Sequence, residues 1–144
     1  MDVRELPKGE TALAHAALRE LRPAWADRAA WVARVDDVQR PEGYRLVAAF
    51  ADAPDAVAAA GFRVVHHLAW GRTLYVDDLV MLPAARGRGH ARVLLDWLGE
   101  EARRQGCDEL HLDSGFGPRR ADAHRLYLNT GLAVTSLHFS RSIR

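Results

Sequence analysis

The first third of the chain has apolar residues about every four positions, which is the spacing of one face of a helix. This spacing predicts two helices, TALAHAALRELRP, which ends at Pro23, and AWADRAAWVARVDD, which includes Trp25 and Val35 on its apolar stripe. The break RPEG follows. We therefore expect a helical segment before residue 40 and a change of structure after it.

The apolar pattern becomes compact and β-branched after Gly43, which favours strands. Pro83 ends the strongest of these runs, TLYVDDLVML. With a turn at Gly71 and Arg72, the predicted strands are 44–52, 56–70 and 73–82.

Helical spacing returns from Gly89 to about Gln105, and Gly106 is the expected cap. A strand over 107–114, a helix over 119–130 capped by Gly131, and one or two strands over 132–143 follow. This order predicts a mixed α/β fold with strand–helix–strand units. The apolar stripe that we expect to face the core from the helix after Gly89 comprises Ala91, Leu94, Leu95, Leu98 and Ala102.

Composition narrows the class of protein. A chain of 144 residues with 49% hydrophobic and 27% charged residues suits one globular domain, which we predict to span 1–144. A formal net charge of +1 argues against nucleic acid as a partner, and no apolar run reaches the ~20 residues of a membrane span. The amino-terminal segment lacks the layout of a signal peptide, and Cys107 is the single cysteine. We expect a cytoplasmic protein without membrane attachment.

The first candidate ligand-binding segment is VMLPAARGRGHARVLL. In it, two glycines, each preceded by arginine, lie directly before the predicted helix. The first amides of a helix lack intrahelical partners, and glycine lets a ligand approach them closely. These features together favour a phosphate site. The P-loop and dinucleotide patterns both fail, since no lysine follows either glycine and Arg92 occupies the third-glycine position. On these residues alone the rest of the ligand stays open, and the alternative is a turn that merely needs glycine.

Arg86-Gly87-Arg88-Gly89-His90-Ala91 resembles the Q/R-x-x-G-x-G/A motif of the GNAT N-acetyltransferase superfamily. The strand and proline before it match the same family. Further along, AHRLYLNTGL resembles the family pattern A-x-x-x-Y-x-x-x-G-F/L, which places Tyr127 at the family's tyrosine position. Two motifs in this order make the resemblance fairly specific.

The resemblance implies a single-domain mixed β-sheet flanked by helices, with central strands splayed around CoA. It also implies acetyl-CoA as co-substrate. No metal is expected, because the sequence has neither an H-E-x-x-H pattern nor a cysteine cluster. Transferred position by position, amides within Arg86, Gly87, Arg88, Gly89, His90 and Ala91 would hold the pyrophosphate. Main-chain groups of Val80 and Met81 would hold the pantetheine arm.

Acyl transfer to an amine needs a proton acceptor for the amine and a proton donor for the departing thiolate. The resemblance implies that Tyr127 is the donor, and the alternative is a tyrosine that packs in the core. It further implies that Asp77, on the strand before the loop, acts as base through water, where relatives usually have glutamate. The alternative is that Asp77 and Asp78 only satisfy nearby arginines or backbone amides.

Other groups of potentially reactive side chains give weaker support for a function. His111, Asp113 and Ser114 lack the elbow motif of a hydrolase, and the adjacent His66 and His67 point to opposite faces of a strand. Cys107 is interpreted as a small apolar residue rather than a nucleophile.

The leading hypothesis is therefore an N-acetyltransferase that moves an acetyl group from acetyl-CoA to an amine by direct transfer through a tetrahedral intermediate. The alternative is a CoA-binding sensor or regulatory module without catalysis. We expect a small-molecule or peptide amine as acceptor, no nucleic acid and no membrane as partner, and a homodimer as a plausible assembly. The first two helices and the strand ends are the expected acceptor region, where Trp31, Asp36, Asp37 and Tyr44 lie.

Overall fold

A computed structural model of the protein describes residues 2–144. The chain divides into two compact units, of which the first ends at Leu112 and the second comprises Asp113–Arg144. The first unit contains the whole sheet and three helices; the second contains one helix and the carboxyl-terminal segment. Among the described residues, no helix is both long and apolar enough to cross a bilayer.

The sheet of the first unit has five strands in the order β1-β2-β3-β4-β5. Neighbouring strands are antiparallel from β1 to β4, and β5 is parallel to β4. The mixed sheet follows from the connections, since β4 and β5 are joined through a helix while the earlier strands are joined in antiparallel fashion. The strands are β1 (Asp2–Glu5), β2 (Arg45–Phe50), β3 (Ala58–His67), β4 (Gly71–Met81) and β5 (Glu109–Leu112).

Two irregularities of β4 determine which of its groups lie outside regular strand pairing. The register with β3 shifts between Gly61, which pairs with Asp78, and Phe62, which pairs with Val76, so that Asp77 is the extra residue of a β-bulge. The parallel ladder with β5 ends where Val76 pairs with Leu112. Within the described residues, positions 78–81 of β4 therefore have a strand partner on the β3 side only, and Asp77 has none.

The helices of the first unit are α1 (His15–Leu21), α2 (Arg28–Arg34) and α3 (His90–Arg104). The two predicted amino-terminal helices are shorter than expected. Pro23 starts a 3-10 turn, Pro23–Trp25, so Trp25 lies outside α2. Asp27 caps α2 by accepting a hydrogen bond from the Ala30 amide at 3.0 Å.

Side chains of a strand alternate between the two faces of the sheet, and helices pack against both of these faces. On one face, Leu46, Ala48 and Phe50 of β2 join a buried cluster with residues of α1 and α2. On the other face, the ring of Phe62 packs edge-on against Trp97 of α3, with centroids 5.8 Å apart. The predicted α3 stripe is buried at Leu94, Leu95, Leu98 and Ala102.

The second unit contains α4 (Ala121–Asn129), preceded by a 3-10 turn at Pro118–Arg120. Gly131, with φ of +91°, ends the helix. The Leu132 amide donates to the Tyr127 carbonyl at 3.0 Å, and the Gly131 amide donates to the Leu128 carbonyl. This is the Schellman arrangement, and it gives a physical reason for glycine four residues after the tyrosine.

Three predictions about the elements were wrong. Strand β1 was missed, because it is a four-residue edge strand with no alternating run to announce it. Gly71 and Arg72 begin β4, and the turn lies at residues 68–70. Residues 132–143, predicted as strand, form none within the described chain. Apolar alternation marks a segment that can pair, and pairing also requires a partner strand.

Candidate active site

The loop between β4 and α3 has the geometry that its glycines predict. Gly87 and Gly89 have φ of +78° and +80°, a region that residues with a Cβ rarely adopt. No side chain caps α3 within the described residues, and the first bond of its ladder runs from the Val93 amide to the Gly89 carbonyl. The amides at the start of α3 therefore have no acceptor inside the helix and are available to an anion.

Two side chains of the loop add to the positive end of the helix. Arg86 and Arg88 lie in the loop, and neither takes part in an ion pair among the described residues. His90 is 5% exposed and its Nδ1 donates to the Ala85 carbonyl at 3.2 Å. Its imidazole thus ties the loop to the helix, while its amide stays at the helix end.

The main-chain groups of β4 next to this loop alternate between its two edges. The Leu82 amide donates to the Val57 carbonyl, on the side of β3. By alternation, the amide and carbonyl of Val80 also face β3, where Val80 pairs with Ala59. The groups of Leu79 and Met81 face the opposite edge, beyond the end of β5. Leu79 therefore joins Met81 at the open edge, and the assignment of Val80 to the pantetheine arm stays a prediction that its pairing with Ala59 does not favour.

Asp77 occupies the bulge and is held by an arginine of the neighbouring strand. Both of its oxygens accept from Arg63, at 2.7 Å from Nε and 2.8 Å from Nη2. The hydrogen bonds from Arg63 to Asp77 raise the pKa of the Arg63 guanidinium. Burial lowers this pKa, but by less. The Asp77 side chain keeps 25% of its surface exposed. It is thus oriented by Arg63 and in contact with water.

Asp78 enters a different network on the side of the first helices. Its Oδ1 accepts from Arg22 Nε at 2.9 Å and its Oδ2 accepts from the Tyr44 hydroxyl at 2.9 Å. Arg22 also donates to the Asp77 carbonyl at 3.2 Å, so its guanidinium spans the bulge. Burial, followed by the negative charge of Asp78, raises the pKa of Tyr44 well above 10.0.

Gly61 makes this network sterically possible. A Cβ at Gly61 would lie 1.7 Å from the Tyr44 hydroxyl oxygen, so only glycine admits the phenol beneath β3. Gly61 pairs with Asp78 across the sheet. The glycine of one strand therefore permits the contact that holds the carboxylate of the next.

Comparison with known proteins decides the family. The model of the Acetyltransferase (GNAT) family matches residues 11–132. This chain belongs to the GNAT family. It is 31% identical over 138 residues to the uncharacterized N-acetyltransferase YhdJ of Bacillus subtilis, covering 94% of each chain. It is also 34% identical over 79 residues to the aminoalkylphosphonate N-acetyltransferase of Salmonella typhimurium, covering 55% of this chain and 49% of that one. The protein is thus an acetyltransferase.

Solved structures confirm the GNAT fold class that the sequence predicted. The structure of AAC(6')-Iy in complex with the bisubstrate analog CoA-S-monomethyl-acetylneamine is 20% identical, with a TM-score of 0.81 over 99% of this chain and 97% of that one. The ribosomal-protein-alanine N-acetyltransferase from Brucella melitensis biovar Abortus is 21% identical, with a TM-score of 0.79 over 100% and 99%. These likenesses establish the mixed sheet flanked by helices.

The predicted GNAT site residues fall into both units. The first unit brings Asp77, Met81 and the loop 86–91 together on β4 and the start of α3. Tyr127 lies on α4 of the second unit, where burial raises the pKa of its phenol. Of the predicted acceptor residues, Asp36 accepts from Thr11 and Arg40 and is used inside the fold. Among the described residues, no group of three or more His, Cys, Asp or Glu side chains is placed to hold a metal ion.

Sequence reasoning missed Leu79, Gly61 and Arg22. Leu79 follows from counting hydrogen bonds outward from Leu82, which requires the register. Gly61 and Arg22 are 17 or more residues away from Asp78 along the chain and meet it only across packed elements. No local pattern announces either of them.

We predict that Gly89→Ala and Gly99→Ala have opposite effects on stability. Gly89 has φ of +80°, so an alanine there should lower the free energy of unfolding by about 1–2 kcal/mol. Gly99 lies inside α3 with open space where a Cβ would stand, so an alanine there should raise it by about 0.5–1 kcal/mol. Urea denaturation measures both. Equal effects would show that the left-handed turn is not what requires glycine.

Proposed function

We propose that the protein transfers the acetyl group of acetyl-CoA to a small amine by direct attack through a tetrahedral intermediate. The observation that carries the proposal is the start of α3, where unpartnered amides and two arginines outside any ion pair of the described chain follow directly on the half-open strand β4. Membership of the GNAT family supports the reaction class. Neighbouring folds whose structures contain CoA or a CoA analog support the donor.

The donor site follows from these groups. Amides within Arg86, Gly87, Arg88, Gly89, His90 and Ala91 bind the pyrophosphate, and the side chains of Arg86 and Arg88 neutralise it. Main-chain groups of Met81 and Leu79 bind the pantetheine arm along the open edge of β4. The thioester then lies beside the bulge. CoA carries the acetyl group, and the protein supplies position and charge.

Proton transfer is assigned to two residues. Asp77 receives the proton of the acceptor amine through water, with Arg63 orienting its carboxylate. Tyr127 donates a proton to the departing thiolate. The raised pKa of Tyr127 keeps the phenol protonated at neutral pH, as a donor requires. This assignment to Tyr127 rests on its position in the second family motif.

The acceptor in this proposal is a small-molecule or peptide amine. The relative from Salmonella typhimurium is named for aminoalkylphosphonates, and AAC(6')-Iy was solved with an aminoglycoside-derived analog. Both names describe amines of modest size. The family model runs across the boundary at residues 112 and 113, so we place both units in one N-acetyltransferase domain spanning 1–144. A single half-buried thiol, Cys107, fits a reducing cytoplasmic compartment.

A homodimer completes the proposal. Large apolar side chains of the second unit are between 57% and 88% exposed, and a second copy of the chain would cover them. Four of them belong to the segment that forms no strand. The exposed residues are Phe116, Leu128, Val134, Leu137, Phe139 and Ile143.

Acetyl-CoA should stabilise the protein by about 2.7 kcal/mol at ~100 times its Kd, measured by thermal shift.

The double variant Arg86→Gln/Arg88→Gln should bind acetyl-CoA about 10–100-fold more weakly, because two charge-assisted contacts to phosphate are lost. S-acetylpantetheine, which lacks the pyrophosphate, should bind equally to both proteins. Arg103→Gln/Arg104→Gln, at the far end of α3, is the control of equal charge.

Loss of affinity for both ligands would show that the arginines support the loop rather than the pyrophosphate. Protection by acetyl-CoA without turnover on any amine would favour the sensor over the enzyme.

Tyr127→Phe should lower turnover by about 10²–10⁴-fold and leave acetyl-CoA affinity unchanged, because only proton donation is lost. Asp77→Asn should lower turnover and change the shape of the pH–rate profile, because the acceptor of the amine proton is lost. Arg63→Gln is the matched control, since it breaks the same ion pair and keeps the carboxylate. Steady-state kinetics between about pH 5 and 10 measure all three.

Unchanged turnover in Tyr127→Phe would remove the tyrosine from the reaction. If Asp77→Asn and Arg63→Gln lose activity alike with an unmoved pH profile, Asp77 is a structural partner of Arg63 and not the base.

The double variant Val134→Asp/Phe139→Asp should convert a dimer to a monomer, because charge in the covered apolar surface opposes association. Light scattering after size-exclusion chromatography measures the mass. Leu68→Asp, at a residue 110% exposed in the β3–β4 turn, is the control and should leave the mass unchanged. A monomeric wild type at micromolar concentration would contradict the assembly.

A further inference from the structure

A cavity of about 230 Å³ lies in the first unit between the first helices and β4. It is smaller than the ~300–1,000 Å³ of sites for drug-sized ligands, which suits a compact molecule. It reaches β4 at Asp78, one residue from the bulge. The lining residues are Leu18, Arg22, Trp25, Trp31, Arg34, Gln39, Tyr44 and Asp78. A more open groove, which includes Asp36 and Asp37, has no lining residue from β4.

The acidic residue of this cavity is already neutralised. Asp78 is the acidic side chain in the lining, and Arg22 and the Tyr44 hydroxyl occupy one oxygen each at 2.9 Å. The carboxylate is 15% exposed. An ammonium group on an acceptor would therefore have to compete with a guanidinium for Asp78. Among the described lining residues, no acidic side chain is left unpaired to bind a positively charged group of a ligand.

Arg34 gives the cavity a cation without a carboxylate partner among the described residues. Its guanidinium carbon lies 5.1 Å from the centroid of the Trp25 ring, and no ion pair of the described chain includes Arg34. A cation–π contact of this kind uses the face of the aromatic ring and no acceptor atom, so the N–H groups of the guanidinium can still donate to an anion. Those N–H groups match the two oxygens of a carboxylate or phosphonate. Two arginines and one aspartate leave the lining with an excess of one positive charge.

We propose that the acceptor is an amine that also carries an anionic group, a carboxylate or a phosphonate, and that Arg34 binds this group. The proposal rests on the acetyl transfer proposed above and names the class of acceptor. The anion lies against Arg34 with the tryptophan rings as walls, and the amine points toward β4 and the bulge. Arg22 contributes charge from the other side of the cavity while it stays paired with Asp78.

Four amines of similar length and different charge test the class. β-Alanine carries a carboxylate, 2-aminoethylphosphonate a phosphonate, n-propylamine no second charge, and 1,3-diaminopropane a second cation. We expect kcat/KM to be about 10-fold or more higher for an anionic amine than for n-propylamine, with the diamine poorest. The order of the two anionic amines distinguishes a carboxylate site from a phosphonate site.

Arg34→Gln should lower kcat/KM for the preferred anionic amine by about 10–100-fold, mainly through KM, and leave n-propylamine within about two-fold. Arg34→Lys should recover part of the loss. Arg28→Gln is the matched control, because Arg28 lies on the same helix and does not line the cavity. Equal losses in Arg34→Gln and Arg28→Gln, or a preference for either non-anionic amine, would overturn the proposal.

Equilibrium binding of the same amines without cofactor separates this inference from the proposed reaction. Binding of β-alanine or 2-aminoethylphosphonate that Arg34→Gln weakens and Arg28→Gln does not would support the anion site even if acetyl-CoA fails to bind. Acetyl-CoA binding together with amine binding that is indifferent to charge and to Arg34 would support the donor site and overturn this inference.

Discussion

The arrangement of the site depends on one strand being paired on both edges for only part of its length. β4 pairs with β3 along its length except at the bulge residue Asp77, and with β5 only as far as the pair Val76 and Leu112. Backbone groups beyond that point need a partner other than a strand, because an unpaired polar group is costly once water is removed. A CoA arm laid along this edge would satisfy them. The same strand leads into the loop before α3, so in the proposed site one continuous edge would serve both parts of the donor.

The bulge at Asp77 lies at the point where the strands part. Asp77 is the extra residue of β4, and the two consecutive aspartates meet two different arginines. Asp77 pairs with Arg63 of the sheet, and Asp78 pairs with Arg22 of the first helices. One carboxylate is therefore held by Arg63 of β3 at the bulge, beside which we place the thioester, and the other lines the cavity where we place the acceptor. Arg22, which also holds the Asp77 carbonyl, links the two.

Contacts within the fold hold several lining residues of the proposed acceptor cavity in place. Tyr44 is buried, donates to Asp78 and occupies space that only a glycine at position 61 leaves free. Trp25 supports Arg34 and its carbonyl lies 2.8 Å from His15 Nε2. Charged groups held this way lose little side-chain freedom when a ligand arrives. Selectivity in the proposed reaction would then come from fixed charge rather than from a closing loop.

Local signals predicted much of the fold correctly. The glycines before α3, the apolar stripe of that helix and the glycine after Tyr127 are each determined within a few residues, and the structure places them as expected. Elements that need a distant partner were predicted less well. The edge strand β1 has no local pattern, and the apolar alternation of residues 132–143 did not suffice to make a strand.

The sequence by itself determined the positive φ turn, the helix that follows it and the motifs that indicate the family, because backbone conformation and helix ends depend on neighbours along the chain. Only the tertiary structure decided that the main-chain groups of Val80 face β3 while those of Leu79 and Met81 face the open edge. It also decided that Asp78 pairs with Arg22 while Arg34 lies over the ring of Trp25. Register and ion pairing join residues that are far apart in sequence, and a one-residue shift in either would exchange their roles.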